Sequence, residues 1–197
     1  MLAVSQITLE RHFQPVFEPL DFHLDRGAVL LITGANGCGK TTLIRLLAGI
    51  LTPTSGTLLS SAQGTAYVGH SLAIKDDLSV AENVRFVRDF HDTRRHSVDE
   101  VIFRAGLHRV AHQPARTLSA GQRKRCALVR LLLIPAELWL LDEPYSSLDD
   151  EGIELVDGLL AEHVQLGGSC VLASHGRHRP GIKDRTEIEL ISGAHRL

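Results

Sequence analysis

Residues Gly34-Ala35-Asn36-Gly37-Cys38-Gly39-Lys40-Thr41 fit the pattern GxxxxGK[ST]. The continuous apolar run 28–33 (AVLLIT) precedes them, and a stretch of helical character, 40–48 (KTTLIRLLA), follows. A strand buried on both faces reads as such a run. Glycines let the connecting loop curl so that backbone N–H groups converge on phosphate oxygens, and the following helix turns the positive end of its dipole to the same anion. Asn36, Gly37, Cys38, Gly39, Lys40, Thr41 and Thr42 are therefore candidate nucleotide-phosphate contacts. Lys40 has the reach for the β- and γ-phosphates, and the Thr41 hydroxyl suits Mg2+. Cys38 stands at a wildcard position where a small residue suffices; a thiol there would also make the loop thiol-sensitive.

The rest of the chain agrees with an α/β fold. Strands are expected at 2–9, 20–24, 28–33, 65–69, 138–141 and 170–173, with an edge strand at 186–191. Helices are expected at 40–48, 122–133 and 151–166, and TPTSG (52–56) reads as a turn. Strands alternating with helices imply a largely parallel sheet with right-handed crossovers. Between about 76 and 117 the strand signal vanishes: Val80, Val84 and Val87 follow Ser79 at helical spacing, and Ser97 with Glu100 forms a capping-box pattern closed by Gly106. That stretch is expected to be a helical insertion.

Composition excludes several classes. The chain has 197 residues, 44% of them apolar and 22% charged, a normal globular balance for one domain. Its 21 Lys+Arg against 23 Asp+Glu leave no basic surplus, so no nucleic-acid partner is expected. Apolar runs are too short for a membrane span, and the N-terminus lacks the pattern of a signal peptide. Three scattered cysteines make neither a disulfide framework nor a zinc pattern.

Two further motifs carry chemistry. In Leu138-Trp139-Leu140-Leu141-Asp142-Glu143 a buried strand ends in two acids. Such a strand delivers Asp142 to the carboxyl edge of the sheet, where it can hold Mg2+. Glu143 follows as a general base or water-orienting carboxylate. In Leu118-Ser119-Ala120-Gly121-Gln122 a Ser and a Gly open a basic helix. Local physics reads this either as a plain N-cap or as a second anion-binding helix terminus.

With these residues together the chain resembles the nucleotide-binding subunits of ABC transporters, in motif order and over essentially its whole length. GANGCGKTT is similar to their phosphate loop, LSAGQRKR to their signature (with Ala120 where Gly is commoner), LWLLDEP to their second acidic motif, Ser147-Leu148-Asp149 to their D-loop, and His175 to their switch histidine. The resemblance implies a P-loop NTPase core with a mainly parallel sheet, an antiparallel N-terminal β-subdomain and a helical subdomain at about 76–130, all within one ABC domain spanning 1–197. It implies ATP and Mg2+ as ligands and a self-dimer paired head to tail. In that dimer Ser119, Gly121 and Gln122 close over the partner's ATP, Glu143 polarises water, His175 senses the γ-phosphate and Asp149 lines the seam. It also implies integral-membrane partners docked on the helical insertion.

Departures narrow the resemblance. Where the family usually has Gln after the strand that follows the first helix, this chain has His70, in Tyr67-Val68-Gly69-His70. An ordinary loop histidine is the alternative there. Where an aromatic usually stacks on adenine the chain has Arg11, with His12 and Phe13 beside it; a guanidinium can stack on a base too. Short length, YVGH, LSAGQ and the ERH entry are similar to the ATP-binding subunit of the bacterial haem exporter of cytochrome c maturation. That subfamily implies a peripheral ATPase on the cytoplasmic face of the inner membrane, acting in haem export or haem handling. The chain has no CxxCH and no Cys/His pair at ligand spacing, so direct haem binding is not expected. An export motor for another substrate, or a soluble ABC-type ATPase in nucleic-acid or ribosome work, remains the alternative.

Overall fold

The computed structural model describes residues 1–93, 95–174, 180–182 and 185–193. The chain opens with β1 (Leu2–Thr8), a two-residue-stranded hairpin of β2 (Glu10–Arg11) and β3 (Gln14–Pro15), and β4 (Leu20–Leu24). Next come β5 (Val29–Thr33), α1 (Lys40–Leu47), β6 (Ser55–Ser60) and β7 (Thr65–Val68), then α2 (Val80–Phe90), α3 (Val98–Arg104) and α4 (Ala120–Leu128). It finishes with β8 (Leu138–Asp142), α5 (Asp150–Gln165), β9 (Ser169–Ala173) and β10 (Arg185–Glu189).

Five strands form a sheet in the order β10-β5-β9-β8-β7, every neighbouring pair parallel. A second sheet, β4-β1-β6, is antiparallel. The continuous apolar runs are explained by two-sided cover. Leu30 and Ile32 of β5 face Leu43 and Ile44 of α1 and the β1 residues Leu2, Val4 and Ile7. Val29 and Leu31, one residue out of phase, face Val156, Leu159 and Leu160 of α5. Each such fully buried side chain contributes about 1.5–3 kcal/mol of transfer free energy. The parallel register places Ile32, Ala173 and Asp142 side by side, so β5, β9 and β8 end at one edge.

The stretch from Val80 to Leu133 has a core of its own, in which Val80, Val84, Val101, Ile102, Cys126 and Val129 pack together. Three local expectations change. Residues 55–60 form a strand rather than the end of a turn; Ser-Gly-Thr-Leu-Leu-Ser has no alternation because most of its side chains are exposed. Its identity as a strand comes from pairing with β1. The basic helix starts at Ala120 and tightens into a 3-10 segment at Val129–Leu133. The capping box sits at Ser79–Glu82; at Ser97 only the serine half forms, because Glu100 Oε1 pairs with His96 Nδ1 at 2.7 Å.

Candidate nucleotide site

The loop between β5 and α1 depends on glycine for two separate reasons. Gly34 (φ +137°) passes so close to β10's end that a Cβ there would lie 2.6 Å from Leu190 O. Gly39 (φ +105°) rests on Phe17 and Val16, within 2.8 and 2.9 Å of an added Cβ. L side chains rarely adopt such backbone conformations. Gly39 is the N-cap of α1, and no side chain hydrogen-bonds to that cap. The first-turn N–H groups are thus left to an incoming anion. Lys40, almost fully buried, donates from Nζ to Gly34 O (2.8 Å) and Ala35 O (2.9 Å), folding its ammonium across the mouth of the loop. Asn36 and Gly37 are exposed on the loop, Thr41 is half-buried, and Thr42 and Cys38 are buried. The burial of Cys38 favours its reading as a small space-filling residue.

Two strands along the sheet, β8 brings Asp142 to the same edge, roughly 10 Å from β5 at normal strand spacing. Asp142 is 2% exposed, and both its carboxylate oxygens lack a hydrogen-bond partner among the described residues. A buried carboxylate without partners is costly, and a cation removes that cost. With the half-buried Thr41 hydroxyl, it makes a donor set that fits Mg2+. Glu143 follows with φ +52°, its N–H donating to Ala173 O at 2.9 Å, and Ser146 Oγ donates to Glu143 O at 2.9 Å. A non-glycine residue in this region is strained, and such strain gathers where a side chain must be aimed.

α4 is capped by Ser119, whose Oγ accepts from Gln122 N (3.2 Å) while Gln122 Oε1 accepts from Ser119 N (2.9 Å). This reciprocal cap fixes the exposed Ser119 at the helix tip. A Cβ on Gly121 would meet Ser147 O at 2.9 Å. α1 packs on β8 and β9, whereas α4 packs on the 3-10 segment that follows it and on α5. The signature residues are therefore grouped with the Ser146–Ser147 turn rather than with the phosphate loop. His70, exposed just after β7, lines a shallow hollow with Ala120, Lys124, Ser146 and Ser147.

The sequence profile of the family described as ABC transporter matches residues 17–146, two thirds of the chain. The chain belongs to the ABC transporter family. It is 42% identical, over 94% of its length and 92% of the relative's, to the cytochrome c biogenesis ATP-binding export protein CcmA of Xanthomonas campestris. Among solved structures it superposes on an ABC transporter ATP-binding protein from Pyrococcus furiosus with TM-score 0.80, covering 97% and 98% of the two chains at 20% identity. A dimeric ATP-binding cassette in a post-hydrolysis state, bound to ADP and Pi, has TM-score 0.73 at 21% identity, covering 89% and 88%.

The ABC fold, with its parallel core and antiparallel sheet, is thus the one expected, and the family's activity is ATP binding and hydrolysis. Asp149 takes the N-cap of α5, accepting from Gly152 N at 3.0 Å, and its other oxygen lies 3.8 Å from Arg125 Nη2 of the signature helix. Arg11 sits in the β2–β3 hairpin, opposite Gln14, with Phe13 fully exposed at the tip (99%). The hairpin leads into Val16 and Phe17, which touch Gly39, so it stands beside the phosphate loop. His175 lies outside the described residues; Ser174 before it donates its N–H to Ile32 O (3.0 Å) at the same edge.

Arg125 and Lys124 belong to the basic run of α4, and nothing in the sequence sets either apart from its neighbours. Lys124 is in fact 4% exposed. Burial holds its ammonium below the ordinary lysine range, against the opposing pull of the Asp142 and Glu143 carboxylates. No helix among the described residues is long and apolar enough to cross a membrane.

Proposed function

We propose that this chain is the ATP-hydrolysing subunit of a membrane ABC complex acting in haem export or haem handling for c-type cytochrome biogenesis. It would sit peripherally on the cytoplasmic face of the bacterial inner membrane. The observation that carries this reading is the likeness to a cytochrome c biogenesis export protein along nearly the whole chain, at 42% identity.

The chemistry follows from the residues. Lys40 exchanges its two carbonyl partners for β- and γ-phosphate oxygens, and the uncapped amides of α1 take the rest of the charge. Asn36, Gly37, Cys38, Gly39 and Thr42 shape the same cradle. Thr41 and Asp142 would hold Mg2+, which when bound neutralises charge shared between the β- and γ-phosphates. Glu143 accepts a hydrogen bond from the attacking water and orients it. His70 faces that water from the end of β7, and His175 bonds the γ-phosphate and registers its loss. Arg11 stacks on adenine.

Ser119, Gly121 and Gln122 stand with their own chain's D-loop, so the site they complete belongs to a second copy paired head to tail. Ser119 Oγ accepts the Gln122 N–H and keeps its own O–H to donate outward to that copy's γ-phosphate. Asp149 lines the seam. The helical insertion at 76–117 supplies the docking face for the membrane subunits, and haem is handled by those partners rather than by this chain.

Affinity purification of the tagged chain tests the reading. Integral-membrane subunits should co-purify, and the complex should hydrolyse ATP. Recovery with RNA or ribosomes and without membrane subunits would overturn it.

A further inference from the structure

His70 stands between two fixed points of the chain. On one side Val68, the last residue of β7, is paired with Leu141 of β8. On the other, the guanidinium of Arg130 reaches across from the 3-10 segment that continues α4. Its Nη2 donates to Leu72 O at 2.6 Å, its Nη1 to Ala73 O at 3.0 Å and its Nε to Ala127 O at 3.1 Å. Two N–H groups forked onto consecutive carbonyls set the direction of the chain as well as its place. Ala73 holds a left-handed backbone (φ +50°), which a non-glycine residue keeps only where its surroundings enforce it. Ala73 is exposed, so water would serve its carbonyl as well; what the guanidinium adds is a fixed position. Asn83, 5% exposed, secures the chain further on. Its Oδ1 accepts from Lys75 N at 2.9 Å, and its Nδ2 donates to the carbonyls of Lys75, Leu78 and Ser79 at 3.0, 3.2 and 3.0 Å. Between the anchors at Val68 and Leu72 lie only Gly69, His70 and Ser71, and Leu72 lines the same hollow as His70.

We propose that Arg130 is a positioning residue for His70: by holding the Leu72 and Ala73 carbonyls it sets where the imidazole stands at the edge of the sheet. The inference rests on the reading that His70 faces the attacking water. Arg130 bonds main-chain carbonyls rather than any reacting group, so its effect on turnover passes through His70. Its Nε bond to Ala127 ties the same guanidinium to α4. The helix that carries Ser119 at its tip thus carries, just past its other end, the group that places His70 of its own chain.

The test is a double-mutant cycle on steady-state ATP hydrolysis by the full chain in its complex, with ATP affinity and a thermal melt recorded for each variant. R130M keeps an apolar stem and removes the fork. It should lower kcat by about 10- to 10²-fold, the order of cost that a misplacement near 1 Å carries, and leave ATP affinity unchanged. H70A should lower kcat by itself. In the H70A chain R130M should then add no more than about twofold, because the two act as one unit. A merely structural Arg130 would cost the same factor in both backgrounds. R130K keeps the charge without the fork; its smaller loss should vanish in the H70A chain in the same way, and it carries the cycle if R130M fails to fold. Should H70A lower kcat while the Arg130 variants cost the same factor with and without His70, the positioning role is refuted and the His70 reading stands. An undiminished kcat in R130M and R130K, or a loss of ATP affinity in place of kcat, would likewise overturn it. Should H70A leave kcat unchanged, the His70 reading falls and takes the inference with it.

Discussion

Under the proposed function, Lys40 and Glu143 should fail in different ways when altered, because one would bind the phosphates and the other would act only as the bond breaks. Glu143→Gln keeps size and hydrogen bonding but loses the carboxylate that orients water. Turnover should fall by about 10²–10⁴-fold while ATP affinity is kept. Steady-state phosphate release set beside equilibrium nucleotide binding checks this, and near-normal hydrolysis in the assembled complex would remove Glu143 from the role. Lys40→Ala should instead weaken nucleotide binding itself; unchanged affinity would refute the assignment. The places of Lys40, Asp142 and Glu143, at a glycine loop and at the end of a buried strand, were legible in the sequence because an apolar run and a glycine pattern mark them. Lys124 was not: the run RKR has the same composition as a solvated helix face, and only the packing of α4 reveals which of its three cations turns inward.

At the scale of elements, α2 and α4 begin with the same device. Ser79 with Glu82 and Ser119 with Gln122 both form complete capping boxes. Replacing either serine by alanine should cost about 1 kcal/mol of stability. Thermal melts should therefore report similar losses for S79A and S119A, whereas only S119A should lower ATP hydrolysis. An equal drop in hydrolysis for both would reduce Ser119 to a plain cap. α5 carries a pH-dependent contact. The His163 ring stacks on Trp139 (centroids 3.8 Å apart, planes 8° apart) and shares a 3.2 Å hydrogen bond with Ser169 O. Burial lowers its proton affinity below the ordinary value. The unfolded chain then takes up the proton more readily, so this contribution is whole above about pH 6.5 and is lost as the pH falls below it. His163→Gln should flatten that acid loss in melts recorded from pH 7 to 5. Legibility also varied by element. Buried strands announced themselves by continuous apolar runs, and α1 by its helical character directly after the glycine loop. β6 did not, because an exposed strand carries no hydrophobic period and is defined by its partner.

For the whole molecule, the sheet brings together motifs that lie far apart along the chain. Phosphate loop, acidic pair, His70 and the segment before His175 meet at one sheet edge because four parallel strands end in register there. The tip of the signature helix is grouped with the Ser146–Ser147 turn and with His70. On the helical face, Phe86 (52% exposed) and Phe90 (75% exposed) stack with their ring centroids 6.3 Å apart on α2, and Lys75 lies 5.4 Å over the Phe86 ring. Two exposed aromatics side by side are what a docking site presents. Changing both to Ser should leave nucleotide binding intact and abolish co-purification of membrane subunits; undiminished recovery would move the docking face elsewhere. Under the proposed function this nucleotide site drives c-type cytochrome biogenesis. Its most direct test is the level of holo-cytochromes c in a strain whose only copy of the chain carries Lys40→Ala, with b-type haem proteins measured in the same cells. Holo-cytochromes c should be lost while b-type haem proteins are unchanged. Normal c-type cytochromes in that strain would contradict it.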